Sequence, residues 1–298
     1  MIKMRKILCL CLACALLAGM SFSAFGDNGA PVAENLEIST YRGTAVSGRL
    51  SATDPEGEKL KFEITTPPIK GELALSEDGK YTYTPAEGKK GKDYFGYKAT
   101  DESGNSSHEA TVIIRIEKQK SKISYSDMSD NGAHYSAVRL AEEEIFVGEC
   151  LGGEYLFSPD KAVSRGEFLA MCMKLADTRL LDGVSRTGFA DDEDIPQWLR
   201  PYVSTALMCA AISGEKTETG AVFSPQRSIS GHEATVMLNN ILELSDVHYV
   251  SAEADSPQWA AQAVMNLSAN RIIDQGEATA DILTRAEAAE ILLRAMDR

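Results

Sequence analysis

Three times in the second half of the chain a hydroxyl residue is followed three positions later by Glu: Ser164/Glu167, Ser230/Glu233 and Thr284/Glu287. Each pair has the pattern of a capping box. The hydroxyl accepts from the backbone N–H of the Glu, and the carboxylate reaches back to the N–H of the cap. An apolar stripe at helical spacing follows each start: Phe168, Leu169, Cys172 and Leu175; Val236, Met237 and Ile241, with Asn240 at the stripe's edge; Ala288, Ile291, Leu292 and Ala295. Ahead of the first two starts stand Phe157-Ser158-Pro159-Asp160 and Phe223-Ser224-Pro225-Gln226, 66 residues apart. A further helix is expected before each capped one, at residues 135–144, 198–211 and 258–269, the last two opened by Trp198 and Trp259. A two-helix unit recurring every 50–65 residues or so cannot bury its apolar face alone, so neighbouring units must share a core.

Residues 31–118 have a different texture. Leu60-Lys61-Phe62-Glu63-Ile64, Tyr81-Thr82-Tyr83-Thr84, Tyr94-Phe95-Gly96-Tyr97 and Thr111-Val112-Ile113-Ile114 are rich in aromatic and β-branched residues. Turn signals separate them at Asp54-Pro55-Glu56-Gly57, Asp78-Gly79 and Ser103-Gly104-Asn105. About seven short strands with regular turns predict a Greek-key β-sandwich. Residues 119–123 (Gln-Lys-Ser-Lys-Ile) read as a linker.

Residues 1–26 run from basic (Lys3, Arg5, Lys6) through an uncharged apolar stretch to Ala24-Phe25-Gly26, the order of a secretory signal peptide. The whole chain has a formal charge of −14, and without those three cations it has −17. So acidic a molecule is not built for generic binding to nucleic acid or an anionic bilayer, which depends on clustered Lys and Arg. Beyond the leader remain Cys150, Cys172 and Cys209, an odd number, and helical spacing places Cys172 and Cys209 as small core residues. No nucleotide-binding glycine loop, His-Glu-x-x-His or Cys-x-x-Cys pattern occurs; His232-Glu233 is followed by Ala-Thr-Val.

Two resemblances fit these patterns. Ala52-Thr53-Asp54-Pro55-Glu56-Gly57, Gly79-Lys80-Tyr81-Thr82-Tyr83-Thr84-Pro85 and Ala99-Thr100-Asp101 make residues 31–118 similar to a bacterial Ig-like or cadherin-like domain. Such domains serve as surface spacers or adhesive modules, and some bind calcium through acidic turns. That makes Asp54, Glu56 and Asp101 weak calcium candidates beside their reading as plain turn residues.

From Ser124 onward the chain resembles three S-layer homology repeats, at 124–183, 184–247 and 248–298. The match lies in Tyr125-Ser126-Asp127 and Phe189-Ala190-Asp191, the two tryptophans, the Phe-Ser-Pro turns and the Arg-Gly-Glu and Arg-Ala-Glu helix starts. The resemblance implies a multidomain protein: an N-terminal all-β sandwich and a C-terminal all-α pseudo-threefold repeat domain with grooves between repeats. It also implies binding of a secondary cell-wall polymer, often through pyruvylated amino sugars.

Carried over by position, the groove arginines are Arg165 and Arg285. A guanidinium at a helix start pairs well with a carboxylate. Repeat two has Gly231-His232 there instead, leaving His232 as a weaker, pH-dependent cation. Trp198 and Trp259 either stack on sugar or pack in the core. Tyr135 is the nearest aromatic in repeat one. Asp127 and Asp191 either accept sugar hydroxyls or cap a turn.

The expectation is therefore a secreted, non-catalytic surface protein held on the cell wall by an anionic glycan. It needs no cofactor, and an unidentified protein or carbohydrate partner engages the Ig-like domain. The rival readings are an adhesin whose repeats no longer bind, and an accessory subunit of a wall-remodelling enzyme.

Overall fold

The computed structural model describes residues 28–248, 256–274 and 277–298; the expected leader at 1–26 lies outside the described residues. Alternation of aromatic and polar residues sets up the N-terminal unit. Along Lys80–Pro85 every second residue, Tyr81, Tyr83 and Pro85, is buried while those between face outward, the period-two pattern of a half-buried strand. Nine strands form: β1 Val32–Ala33, β2 Leu36–Tyr41, β3 Val46–Arg49, β4 Ala52–Thr53, β5 Lys61–Thr66, β6 Gly71–Leu75, β7 Lys80–Pro85, β8 Gly91–Thr100 and β9 Ala110–Glu117. One sheet runs β2-β9-β8-β5, a second β3-β7-β6, and β1 pairs with β4. β2 lies parallel to β9, with Leu36 opposite Val112, and the other pairs are antiparallel. The two sheets meet where the rings of Tyr81 and Phe95 stand 5.3 Å apart, edge to face. Asp93, buried between them, accepts from Tyr83 Oη (2.8 Å) and from the N–H groups of Ile69 and Lys70.

The second region holds six helices among the described residues: α1 His134–Glu142, α2 Arg165–Leu175, α3 Arg200–Met208, α4 Gly231–Leu242, α5 Ala261–Ala269 and α6 Arg285–Met296. All three expected capping boxes close, at Ser164/Glu167, Ser230/Glu233 and Thr284/Glu287. Just ahead of the caps, Val163 donates to the carbonyl of Leu283, Leu283 to Ile229, and Ile229 to Val163, at 2.9–3.0 Å. This ring of backbone bonds ties the starts of α2, α4 and α6 together around a buried centre of Val163, Ile229 and Leu283. Outside it, α1 packs on α6, α3 on α2 and α5 on α4; each first helix thus leans on the second helix of the preceding unit.

The region is not the all-α pseudo-threefold domain that the resemblance implied. Two β-hairpins, β10 Glu149–Leu151 with β11 Glu154–Leu156 and β12 Glu215–Thr217 with β13 Gly220–Val222, stand in its first two units. The corresponding stretch of the third unit holds a 3₁₀ turn at Glu277–Thr279. The architecture is mixed α/β, with unequal units. Strands of three residues are too short to show a period, although Gly152-Gly153, both left-handed at φ 61° and 91°, is the turn such a hairpin needs.

Other expectations also shift. α3 and α5 begin two residues after Trp198 and Trp259, so the tryptophans lie in the turns before the helices. Cys172 is buried in α2, but Cys209 is exposed at the end of α3, and Cys150 is exposed too; all three are free thiols. The short polar connector is fastened at its centre, since Glu142 of α1 accepts from the N–H groups of Lys120 and Ser121, both at 2.8 Å. Among the described residues no helix is long and apolar enough to cross a membrane.

Candidate ligand clefts

Arg165 is the first residue of α2, so its side chain leaves the helix start toward the neighbouring unit. It is buried, 7% exposed. Its Nε donates to the carbonyl of Phe223 (3.0 Å), Nη1 lies 3.1 Å from Glu233 Oε1, and the guanidinium sits over the Phe223 ring. Arg227 meets the same Glu233 at 2.6 Å and Glu215 at 2.5 Å. Two cations and two carboxylates therefore balance at this point. Burial works to raise the Glu233 carboxyl, but the Arg227 hydrogen bond, the Ser230 N–H and the Arg165 charge together hold it below the usual range.

Arg285, first in α6, repeats the arrangement. It is 5% exposed. Its Nη1 donates to the carbonyl of Phe157 (3.0 Å), Nη2 lies 3.3 Å from Glu149 and 3.7 Å from Glu167, and it stacks over Phe146. Each arginine is thus already held by internal carboxylates and a carbonyl. An unpaired cation at this depth would be costly to bury, and the acidic neighbours relieve that cost. Sequence reasoning missed Glu149, Glu215 and Arg227, which lie 6–136 residues from their partners with no motif to announce them.

Arg165 does border a cavity of about 370 Å³, lined also by Glu233, Met237, Asn240, the segment 210–215 and Trp259. Trp259 is 60% exposed and Trp198 56%. Both indoles are thus outside the core, each with one ring neighbour: His232 at 6.1 Å for Trp259 and Tyr202 at 6.3 Å for Trp198. His232 is half-buried beside Trp259 and Nε2 has no hydrogen-bond partner.

The remaining candidates lie elsewhere. Tyr135 is buried in α1, with its ring 5.0 Å from Tyr41 of the β-unit, so it belongs to the core and not to a cleft. Asp127 accepts from the N–H groups of Phe157 (3.0 Å) and Ser158 (2.6 Å), and Asp191 does the same for Phe223 (2.9 Å) and Ser224 (2.7 Å). Both carboxylates serve turns and not a sugar. Asp54 accepts from Glu56 and Glu58 N–H, Glu56 from Gly29 N–H, and Asp101 from Asn105. Among the described residues no group of three or more His, Cys, Asp or Glu is placed to hold a metal.

Residues 28–118 match the bacterial cadherin-like domain family. The match ends at the connector and does not extend into the helical region. An amylopullulanase of Thermoanaerobacterium thermosulfurigenes is 24% identical over 289 residues, which is 91% of this chain and 14% of that protein. The chain thus spans about one seventh of the length of that curated relative. Among solved structures, an endo-fucoidan hydrolase of glycoside hydrolase family 107 is 19% identical over 33% of this chain and 15% of its own, with a TM-score of 0.26. The SrpA adhesin of Streptococcus sanguinis is 22% identical over 34% of this chain and 62% of its own, with a TM-score of 0.25.

Proposed function

We propose that this chain is a non-catalytic envelope protein whose helical units hold a cell-wall saccharide, with the cadherin-like domain displayed beside them. The observation that carries the reading is Trp259. A large aromatic left 60% exposed at the mouth of a cavity bordered by Arg165 has no packing role that explains it. An indole face takes the apolar face of a sugar ring, and guanidinium N–H groups beyond those used by Phe223 and Glu233 serve ring substituents. The internal pairing changes the expected ligand chemistry. An acidic substituent such as a pyruvyl group competes with Glu233 for Arg165, so stacking and neutral hydrogen bonds contribute more than net attraction. By position in its unit, Trp198 corresponds to Trp259 and Arg285 to Arg165.

Retention on purified cell-wall sacculi tests this. Trp259→Ala with Trp198→Ala should lower retention at least tenfold with unchanged thermal stability, since both side chains are outside the core. Equal retention of wild type and the double variant sinks the site assignment. Loss of retention after chemical removal of the wall polymer identifies the polymer as ligand.

A second reading is favoured by one observation: both arginines are spent internally. In that reading the internally paired charges no longer draw an anionic glycan, although guanidinium N–H groups remain unused, and the chain acts as an adhesin through its β-unit. Wild-type protein that ignores native walls decides for it. Turnover of wall material by the purified protein would instead support an enzyme subunit.

A further inference from the structure

One position on the second helix of every unit makes the same kind of bond. Lys174 of α2 donates to the carbonyl of Glu144, Asn240 of α4 to that of Ala211, and Arg294 of α6 to that of Ile272, at 2.8–3.2 Å. Each bond lies within one unit, and together they show which positions of the three units correspond. By that correspondence the cavity face of α4, Glu233, Val236 and Met237, matches Glu287, Glu290 and Ile291 on α6. The α4 face opens on a cavity with Arg165 and Trp259. The α6 face, with Arg49 of β3 and Lys80 of β7 from the β-unit, lines cavities of about 190 and 370 Å³.

We propose that this third cleft is a docking site for the chain's own cadherin-like domain, so that anchor and displayed domain form one rigid body. Four observations converge. Charge is complementary: Lys80 lies 3.2 Å from Glu290, Ser47 donates to the same carboxylate, and Arg49 lies 3.4 Å from Asp274. Two backbone bonds cross the junction, Ser47 N–H to the Gly132 carbonyl (2.9 Å) and Tyr135 N–H to the Ala45 carbonyl (3.0 Å). The cleft lacks its own arginine. Gly231 stands where Arg165 and Arg285 stand, and a Cβ there would lie 2.6 Å from the Ala278 carbonyl oxygen. Finally, Gly132 is a contact point: a Cβ on it would lie 2.8 Å from Ser47 Cβ and 3.1 Å from Thr82 Oγ1, both in the β-unit. The docking does not depend on the saccharide reading above.

Hydrogen exchange on the full chain tests it. Gly132→Leu drives a wedge into the junction. Exchange in peptides covering 45–49 and 133–136 should rise at least tenfold while α2 and β8 keep their protection, and trypsin should cut sooner at Lys118, Lys120 or Lys122. Unchanged exchange at both segments overturns the proposal. Should Gly132→Leu unfold the protein, the charge pair decides. Lys80→Glu should loosen the same two segments and Glu290→Lys in that background should restore them; a silent Lys80→Glu overturns the proposal. Protein that docks by this measure yet ignores cell walls refutes the saccharide reading alone.

Discussion

Single residues in this chain show how the same side chain can be recognisable while its task is hidden. Asp127 and Asp191 are conspicuous beside their aromatic neighbours, but the N–H groups they serve lie 30–33 residues away. Those N–H groups belong in part to Ser158 and Ser224, which are left-handed at φ 55° and 58°. Such a backbone costs about 1 kcal/mol or more for a residue with a Cβ, and the carboxylate holds it in place. Asp191→Ala should therefore lower stability by about 1–3 kcal/mol, the cost of leaving two turn donors without their charged acceptor, while Ser224→Gly should be neutral or mildly stabilising; urea midpoints measure both. Glu233 carries more. Replacing it by Gln leaves Arg165 buried against Phe223 with its charge opposed only by more distant acids, and should cost about 2 kcal/mol. Retained helix content with a lowered midpoint is the expected pattern; an unmoved midpoint would show that Glu215 and water compensate. The tryptophans teach the converse lesson. The sequence leaves them open between stacking on a sugar and packing in the core, and the helices start just after them with both indoles exposed.

At the scale of elements, the capped helices were legible because a capping box is entirely local: cap and Glu are three residues apart, and both halves close in all three units. Ser230→Ala should cost about 1 kcal/mol, as N-cap losses do, and Ser164→Ala about the same, each seen as a shift in urea midpoint without loss of the fold. The hairpins were not legible, because three residues carry no measurable alternation. Nor was the ring of backbone bonds through Val163, Ile229 and Leu283, which joins residues 54–120 apart and gives no side-chain signature. That ring explains the departure at Gly231. Its N–H donates to the Ala280 carbonyl, and the backbone at residues 277–278 lies over its Cα. Gly231→Ala should thus be destabilising by about 1–3 kcal/mol, as overpacking of a tight site is, although alanine is the better helix former. A stabilised Gly231→Ala would mean that the 3₁₀ turn at Glu277–Thr279 yields readily.

For the molecule as a whole, texture along the chain revealed a β-rich part and a helical part, but not how they join, since the joining residues are 85–243 apart and of opposite sign without any local motif. The junction's most connected group is Glu142, which binds Tyr41 Oη at 2.6 Å and two connector N–H groups. Burial pushes its pKa up, yet the Tyr41 hydroxyl and the Ser121 and Lys120 N–H groups outweigh that and hold it low. The same sign holds for Glu233, and for Asp78, which the Ser76 hydroxyl, the Lys80 N–H and Arg49 hold at about 2. A carboxyl with a depressed folded pKa contributes stability that is complete above its unfolded value of about 4.3 (about 3.9 for Asp) and fades as pH falls through the folded one. Glu277 runs the other way: burial raises it, so its ionisation opposes folding as pH rises past the unfolded value. The depressed groups outnumber it, and the net effect is acid sensitivity beginning near pH 4. Urea midpoints taken from pH 6 down to pH 3 should fall steadily. Glu142→Gln, which keeps an acceptor for Tyr41 but cannot titrate, should start lower at pH 6 and fall less. If wild type and variant fall in parallel, the acid response lies outside the junction, in Glu233 and the β-unit carboxylates.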